Sequence, residues 1–198
     1  FAKEMYDSSQ SMGFPLMAGS SVPLAQRWPV LELPAGAKIE TAVSIHGGGV
    51  ESYDFHALEV LQSMVEARRG GETGRRSDWP HSTSIVAEAA MAAELGPGQP
   101  PLRQIMELPQ VNPRAPHGVL VTYKDGLRAL CLTVGGSGTR WNFACKLAGE
   151  SEPRFTRFYV GPWQNRNLFK ALSHAIQAHF RNGQAPYPVE RTLLVTGM

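Results

Sequence analysis

Residues 118–134 have the sequence GVLVTYKDGLRALCLTV, in which two apolar segments flank the polar turn Lys124-Asp125-Gly126. Segments of this type favour strands, and a compact turn with Asp-Gly between them predicts a β-hairpin. In two segments that follow, residues 141–147 and 154–160, apolar and polar residues alternate. Alternation places every second side chain on the same face of a strand. The four segments together predict an antiparallel meander with one face buried.

Helical patterns lie on both sides of this strand-rich region. In residues 165–181, Leu168, Leu172, Ile176 and Phe180 form one apolar stripe, which predicts an amphipathic helix. Further helices are predicted at residues 1–13, 52–69, 85–95 and from residue 188, and further strands at residues 14–19 and 38–46. Because the strands cluster instead of alternating with helices, the sequence predicts an α+β fold. The expected architecture is a mainly antiparallel open sheet with helices packed on one face.

The composition argues against several classes of partner. The net charge is +2 over 198 residues, with no basic cluster beyond pairs of arginines, so nothing indicates nucleic acid or a membrane surface. No apolar run approaches the ~20 residues that a membrane-spanning helix needs. Cys131 and Cys145 lie in strand-like segments and predict buried free thiols in a reducing, cytoplasmic compartment. A disulfide between neighbouring strands is the alternative.

Both ends of the chain lie inside helical patterns. The sequence begins with Phe1 instead of a methionine, no signal-peptide pattern follows, and Met198 ends the chain within the last predicted helix. We therefore expect both ends to be cuts through a longer polypeptide.

A histidine flanked by carboxylates stands near the start of the helix predicted at residues 52–69. His56 follows Asp54 by two positions and precedes Glu59 by three. A carboxylate can fix the tautomer of an imidazole and raise its pKa, which suits a general acid or base near neutral pH. The alternative is a structural histidine beside an Asp54 that caps the helix. Three converging ligands are not evident in the sequence, which therefore predicts no metal site.

Several stretches resemble the Gfo/Idh/MocA superfamily of nicotinamide-dependent oxidoreductases. At residues 48–59 a glycine-rich turn leads into a helix with a Gly-x-His-x-x-Asp-type pattern, matched here by His56 and by Glu59 in place of Asp. Residues 120–134 resemble the hairpin that leads into the open sheet of the family's substrate domain. The helix, glycine- and proline-containing segment and helix at residues 169–194 resemble the family's common ending.

The resemblance implies two parts of unequal size. Residues 1–19 would be the last helix and strand of a preceding nucleotide-binding domain, and residues 20–198 an α+β substrate-type domain. The Rossmann half itself is absent, because the sequence has neither Gly-x-Gly-x-x-Gly nor Glu-Lys-Pro. The sequence after Gly74 is also shorter than the resemblance leads us to expect, which suggests that a loop is missing there.

The resemblance further implies a fragment of an NAD(P)-dependent oxidoreductase that acts on a sugar or polyol. NAD or NADP would bind the full-length protein, and this fragment would be inactive and bind neither tightly. The implied site residues are His56 as proton donor or acceptor, Asp54 or Glu59 as its orienting carboxylate, and Arg27, Trp28 and Tyr53 as pocket lining. A homo-oligomer is expected through the sheet, because residues 118–160 carry apolar side chains on both faces. The alternative is a non-catalytic ligand-binding or scaffold homologue.

Overall fold

Seven strands form one open sheet in the described part of the protein, and helices are stacked against it. The computed structural model describes residues 1–68, 76–77, 117–133, 141–163 and 165–197. The strands are β1 (Gln26–Trp28), β2 (Ile39–His46), β3 (Arg76–Ser77), β4 (His117–Thr122), β5 (Arg128–Thr133), β6 (Trp141–Leu147) and β7 (Arg154–Tyr159). The α-helices are α1 (Ala2–Met12), α2 (Val50–Val65), α3 (Arg166–Asn182) and α4 (Glu190–Thr196), and a short 3-10 helix spans Val22–Leu24.

The central strand β2 makes the sheet mixed. The order across the sheet is β1-β7-β6-β2-β5-β4-β3. β2 runs parallel to β5 and antiparallel to β6. The α+β class and the open sheet are confirmed, but the predicted mainly antiparallel sheet is corrected to a mixed one, because β2 separates the two predicted hairpins. Residues 42–46 of β2 are buried without interruption, which suits a central strand covered on both faces.

Helix α2 packs across the centre of the sheet and forms the main core. Its fully buried Ala57, Val60 and Val65 belong to one hydrophobic cluster with Ala129 of β5 and Phe143 of β6. Helix α4 packs on α2, and α1 packs on α4. Helix α2 is therefore held between the sheet on one side and α4 on the other.

The opposite face of the sheet is also apolar at its centre. Val43, Ile45, Leu130 and Leu132 share this face through the β2–β5 register, and each is 0% exposed within the single chain. These side chains are therefore not available as an exposed interface for a second copy. Toward the β1–β7 end, the same face carries the exposed aromatic residues Trp28 (58%) and Phe155 (36%).

The N-terminal region departs from its predicted pattern after α1. Helix α1 ends at Gly13, whose φ of +69° is the left-handed cap that the sequence predicts. The strand predicted at residues 14–19 is wrong, because this segment is not a strand. The Ala18 carbonyl of this segment bonds to the Thr192 hydroxyl of α4 instead of to a strand. Residues 26–28 form the edge strand β1, for which the sequence analysis predicted no strand.

Both cysteines are buried free thiols, as the sequence predicts. They lie on β5 and β6, and β2 stands between these two strands. The helix predicted at residues 85–95 and the loop expected after Gly74 lie outside the described residues. Among the helices of the described ranges, none has the length and apolar character needed to cross a membrane.

Candidate functional site

The candidate site lies where the parallel strands β2 and β5 end and α2 begins. The last residues of the two strands, His46 and Thr133, are partners in the parallel register. Gly49 then precedes the first turn of α2. In sheets with parallel strands, the carboxyl ends are the usual place for a binding crevice, because the following loops and helix starts present polar groups there.

His46, Asp54 and Thr133 form a compact polar cluster at this point. His46 Nε2 lies 2.7 Å from Asp54 Oδ1 and 2.7 Å from Thr133 Oγ1. The Thr133 hydroxyl also lies 3.3 Å from the same carboxylate oxygen and donates to it. The His46 side chain is fully buried, whereas 17% of the Asp54 side chain remains exposed. The imidazole is therefore tied to a carboxylate that reaches solvent.

The His56 ring is hydrogen-bonded to the hydroxyl group of Ser20, which lies in the segment before the 3-10 helix. His56 Nδ1 and Ser20 Oγ lie 2.8 Å apart. The backbone N–H of Val22 donates to the same Oγ at 3.1 Å, which leaves the Ser20 hydroxyl proton for the imidazole. Nε2 of His56 has no hydrogen-bond partner among the described residues, and the side chain is partly exposed. Burial lowers the pKa of His56 below its ordinary 6.5, and charge on His46 acts in the same direction.

Aromatic rings enclose both histidines. The ring centroids of Phe55 and Trp141 lie 5.6 and 5.7 Å from that of His56. Tyr53 lies 6.4 Å from each imidazole, and Trp141 lies 6.1 Å from His46. Such an apolar enclosure limits access of water to the imidazoles and provides flat surfaces against which a ring-shaped ligand can pack.

The C-terminal region holds Ser20 in place. The Tyr187 hydroxyl donates to the Ser20 carbonyl at 2.6 Å, and the Thr192 hydroxyl lies 3.1 Å from the Ala18 carbonyl. Burial raises the pKa of Tyr187 to about 12, so its hydroxyl stays protonated and able to donate. We call residues 18–20 the Ser20 segment. Tyr187, in the loop before α4, and Thr192 of α4 hold the backbone of the Ser20 segment. The Ser20 side chain in turn holds the His56 ring.

Glu59 lies one layer further from the sheet, between α2 and α4. Its side chain is 0% exposed, and Thr192 Oγ1 donates to its Oε1 at 2.7 Å. The second oxygen, Oε2, is buried and has no hydrogen-bond partner within the described ranges. Burial raises the pKa of Glu59 above its ordinary 4.5, and the negative charge of Glu66 raises it further. The hydrogen bond from Thr192, the charge of Arg191 and a backbone hydrogen bond from Ser20 lower this pKa in part.

Only part of the predicted site comes together in the structure. His56 and Tyr53 are neighbours, but Asp54 bonds to His46 and Glu59 bonds to Thr192, so neither carboxylate is hydrogen-bonded to His56.

The two remaining predicted residues lie on β1 and contact other elements. Arg27 donates to the Leu31 carbonyl at 2.7 Å and pairs with Glu32 at 3.3 Å. The ring of Trp28 lies under the Arg157 guanidinium at 4.7 Å, on the sheet face opposite α2. Neither residue has a described contact with His56.

The sequence analysis did not identify several contributors to the site, namely His46, Thr133, Phe55, Ser20, Trp141 and Tyr187. No local pattern in the sequence indicates that Ser20 and Tyr187 contact each other, because 167 positions separate them. For Trp141 a signal existed, since it starts an alternating strand whose buried face follows from the pattern.

Replacing Glu59 by glutamine is expected to change how stability depends on pH. A carboxyl whose pKa is raised on folding stabilises the folded state while it is protonated, and this contribution is lost as pH rises above 4.5 through the folded pKa. We therefore expect the Glu59→Gln variant to gain stability relative to the unmodified protein as pH rises above 4.5. Urea unfolding at several pH values measures this difference. A difference in unfolding free energy that stays constant with pH would contradict a raised pKa.

Comparison with protein-family models, with curated proteins and with solved structures finds no match to this chain. The likeness to Gfo/Idh/MocA proteins therefore rests on residue patterns alone. What the chain can do has to be inferred from the contacts around His56 and His46.

Proposed function

We propose that this chain is the substrate-side α+β domain of a cytoplasmic, Gfo/Idh/MocA-like oxidoreductase that acts on a sugar or polyol. In this proposal His56 exchanges the proton of the reacting hydroxyl group. The observation that supports it is the position of the His56 ring, which Ser20 Oγ holds through Nδ1 at 2.8 Å while Nε2 has no partner among the described residues. An oriented imidazole with one free nitrogen is the usual form of a general acid or base.

The Ser20 hydroxyl supports proton transfer in both directions. A hydroxyl can donate to an unprotonated Nδ1 or accept from a protonated one, so either tautomer of His56 keeps its hydrogen bond. Nε2 can therefore take the proton of a substrate hydroxyl during oxidation and return it during reduction. Tyr53 and Trp141 are then placed to pack against the ring or carbon chain of the substrate.

This chain does not itself fit a nicotinamide dinucleotide. Its sequence has no Gly-x-Gly-x-x-Gly turn, and in dinucleotide-binding folds that turn lets the backbone approach the pyrophosphate. NAD or NADP would have to be held by a nucleotide-binding part elsewhere in the polypeptide, where it would supply the hydride acceptor at C4. The isolated chain is accordingly expected to be inactive.

A non-catalytic ligand-binding protein is the second candidate. It is favoured by the positions of Asp54 and Glu59, which bond to His46 and Thr192 and leave His56 without a carboxylate partner. In such a protein the aromatic enclosure would bind a sugar or polyol and no proton would be transferred. We further propose a homo-oligomer through the exposed Trp28 and Phe155 end of the sheet face.

The decisive experiment uses a polypeptide that joins this chain to its nucleotide-binding part. Polyols and sugars are assayed with NAD⁺ and NADP⁺, and we expect His56→Ala to lower kcat by about 100-fold or more. His174→Ala, on the exposed surface of α3, is the matched control and should leave kcat unchanged. An unchanged kcat in His56→Ala would remove His56 from the chemistry. Saturable sugar binding without turnover would support the second candidate.

A further inference from the structure

Cys131 extends the polar cluster at the end of β2 into a set of possible metal ligands. A ring nitrogen of His46, a carboxylate oxygen of Asp54 and the sulfur of Cys131 lie within 4.8 Å of one another. The three residues come from β2, α2 and β5. Parallel pairing of β2 with β5 places His46 and Cys131 on the same face of the sheet, which is the face that α2 covers.

The donor atoms select a particular class of ion. Nitrogen, carboxylate oxygen and sulfur together suit Zn²⁺ and related first-row ions, whereas Mg²⁺ and Ca²⁺ prefer oxygen alone. A thiolate, a carboxylate and a neutral imidazole carry two negative charges in total. These two negative charges neutralise a divalent cation. Neutrality matters in a buried site, because an uncompensated charge there is costly.

Two buried polar atoms bordering the cluster have no hydrogen-bond partner among the residues that the structure describes. They are Nδ1 of His46 and Oγ of Ser44, and both residues are 0% exposed. Ser44 is the register partner of Cys131 and lies two residues before His46, hence on the same face. Buried polar atoms are almost always paired, and an exception often indicates a bound water or ion. The hydrogen bonds within the protein therefore do not satisfy this cluster.

We propose that a divalent ion of the zinc class binds here, with His46, Asp54 and Cys131 as its protein ligands. Binding displaces the thiol proton of Cys131 to solvent, and the proton that His46 Nε2 donates to Asp54 moves to Nδ1. The neutral imidazole and the carboxylate then each exchange their mutual hydrogen bond for a bond to the ion. The exposed 17% of Asp54 gives the ion a path from solvent. Three protein ligands leave a fourth position of a tetrahedral ion for water or a small ligand. This inference does not depend on a role for His56.

The sequence could not indicate this site, because its ligands show no metal-binding spacing. Asp54 and Cys131 are far apart along the chain, and His46 is separated from Asp54 by the glycines and the first turn of α2. Long-range pairing of β2 with β5 is what brings them together.

Cobalt titration tests the proposal through the sulfur ligand. Co²⁺ takes the same ligands as Zn²⁺ and gives a thiolate-to-metal charge-transfer absorption that does not require enzyme activity. We expect chelator-treated protein to bind one Co²⁺ per chain with this absorption, and Cys131→Ser to lose it. Cys145→Ser, which alters the other buried cysteine, is the matched control and should retain it. Asp54→Asn should weaken Zn²⁺ affinity at least about tenfold.

The outcomes separate a metal site from a purely structural cluster. Circular dichroism identifies the variants that remain folded, and the conservative Cys131→Ser and Asp54→Asn changes are chosen to preserve volume. Absence of the charge-transfer absorption in the folded, unmodified protein would overturn the proposal. So would an absorption that survives in Cys131→Ser, or a Zn²⁺ affinity that Asp54→Asn leaves unchanged.

Discussion

Replacing Arg191 by alanine is expected to lower the free energy of unfolding by about 3 kcal/mol. The Arg191 side chain is 7% exposed and makes a two-pronged ion pair with Glu66, including an Nε to Oε2 distance of 2.8 Å. Its guanidinium also lies 4.1 Å from the centroid of the Tyr187 ring. Removing the arginine leaves the Glu66 carboxylate unpaired. Because 30% of the Glu66 side chain stays exposed, the expected loss lies at the lower end for buried pairs.

Urea unfolding of Arg191→Ala measures this loss, with Arg154→Ala as the matched control. Arg154 pairs with Glu150 in the same two-pronged manner, but 37% and 33% of these side chains are exposed. Water solvates an exposed carboxylate that loses its partner, so only a small change is expected in the control. Equal losses in the two variants would show that burial of Arg191 does not determine its contribution.

Replacing Gly19 by alanine is expected to lower the free energy of unfolding by about 3 kcal/mol, from two causes that add. Gly19 has a φ of +120°, which side-chain-bearing residues rarely adopt. A Cβ at this position would also lie 2.7 Å from the Tyr187 hydroxyl and would overlap Thr192 Oγ1. The Tyr187 hydroxyl donates to the Ser20 carbonyl, and the Thr192 hydroxyl shares its single proton between Glu59 and the Ala18 carbonyl, so neither can move away without losing a polar contact.

The matched control for this change is Gly13→Ala, again measured by urea unfolding. Gly13 has a φ of +69°, but nothing lies within 4 Å of a Cβ built there. Alanine at residue 13 therefore meets the backbone strain without the clash, and we expect a loss of about 1 kcal/mol. If Gly19→Ala lowers the free energy of unfolding no more than Gly13→Ala does, the Tyr187 and Thr192 side chains can move aside at little cost. The Ser20 segment would then be less firmly held than its hydrogen bonds suggest.

Local patterns in the sequence were sufficient for most of the described strands and helices, although residues 14–19 form no strand and β1 was not predicted. The strands at residues 39–46 and 141–147 and the hairpin around Asp125-Gly126 all follow from alternation and turn chemistry. The position of β2 between β5 and β6 did not follow from these local patterns. Which strands become neighbours depends on long-range packing, and periodicity within a segment carries no information about its partner.

The geometry of α2 explains why the two predicted carboxylates are not hydrogen-bonded to His56. Residues two apart on a helix point in different directions, so Asp54 cannot face the same neighbours as His56 although it is close in sequence. Asp54 instead bonds to His46 at the end of β2. Glu59 points toward α4 and bonds to Thr192, a residue that no local pattern associates with α2. The sequence identified the histidine, whereas its supporting Ser20 could be found only from the folded structure.

The bonds between the Ser20 segment and Tyr187 have a consequence for the order of synthesis. The ribosome makes Ser20 and His56 before residues 187 and 192, whose hydroxyl groups contact the carbonyls of residues 18 and 20. Until those residues emerge, α2 can form while the imidazole lacks its fixed support. The site can therefore be completed only after residue 192 has been made, and a nascent chain or a truncation that lacks α4 would carry His56 without its geometry.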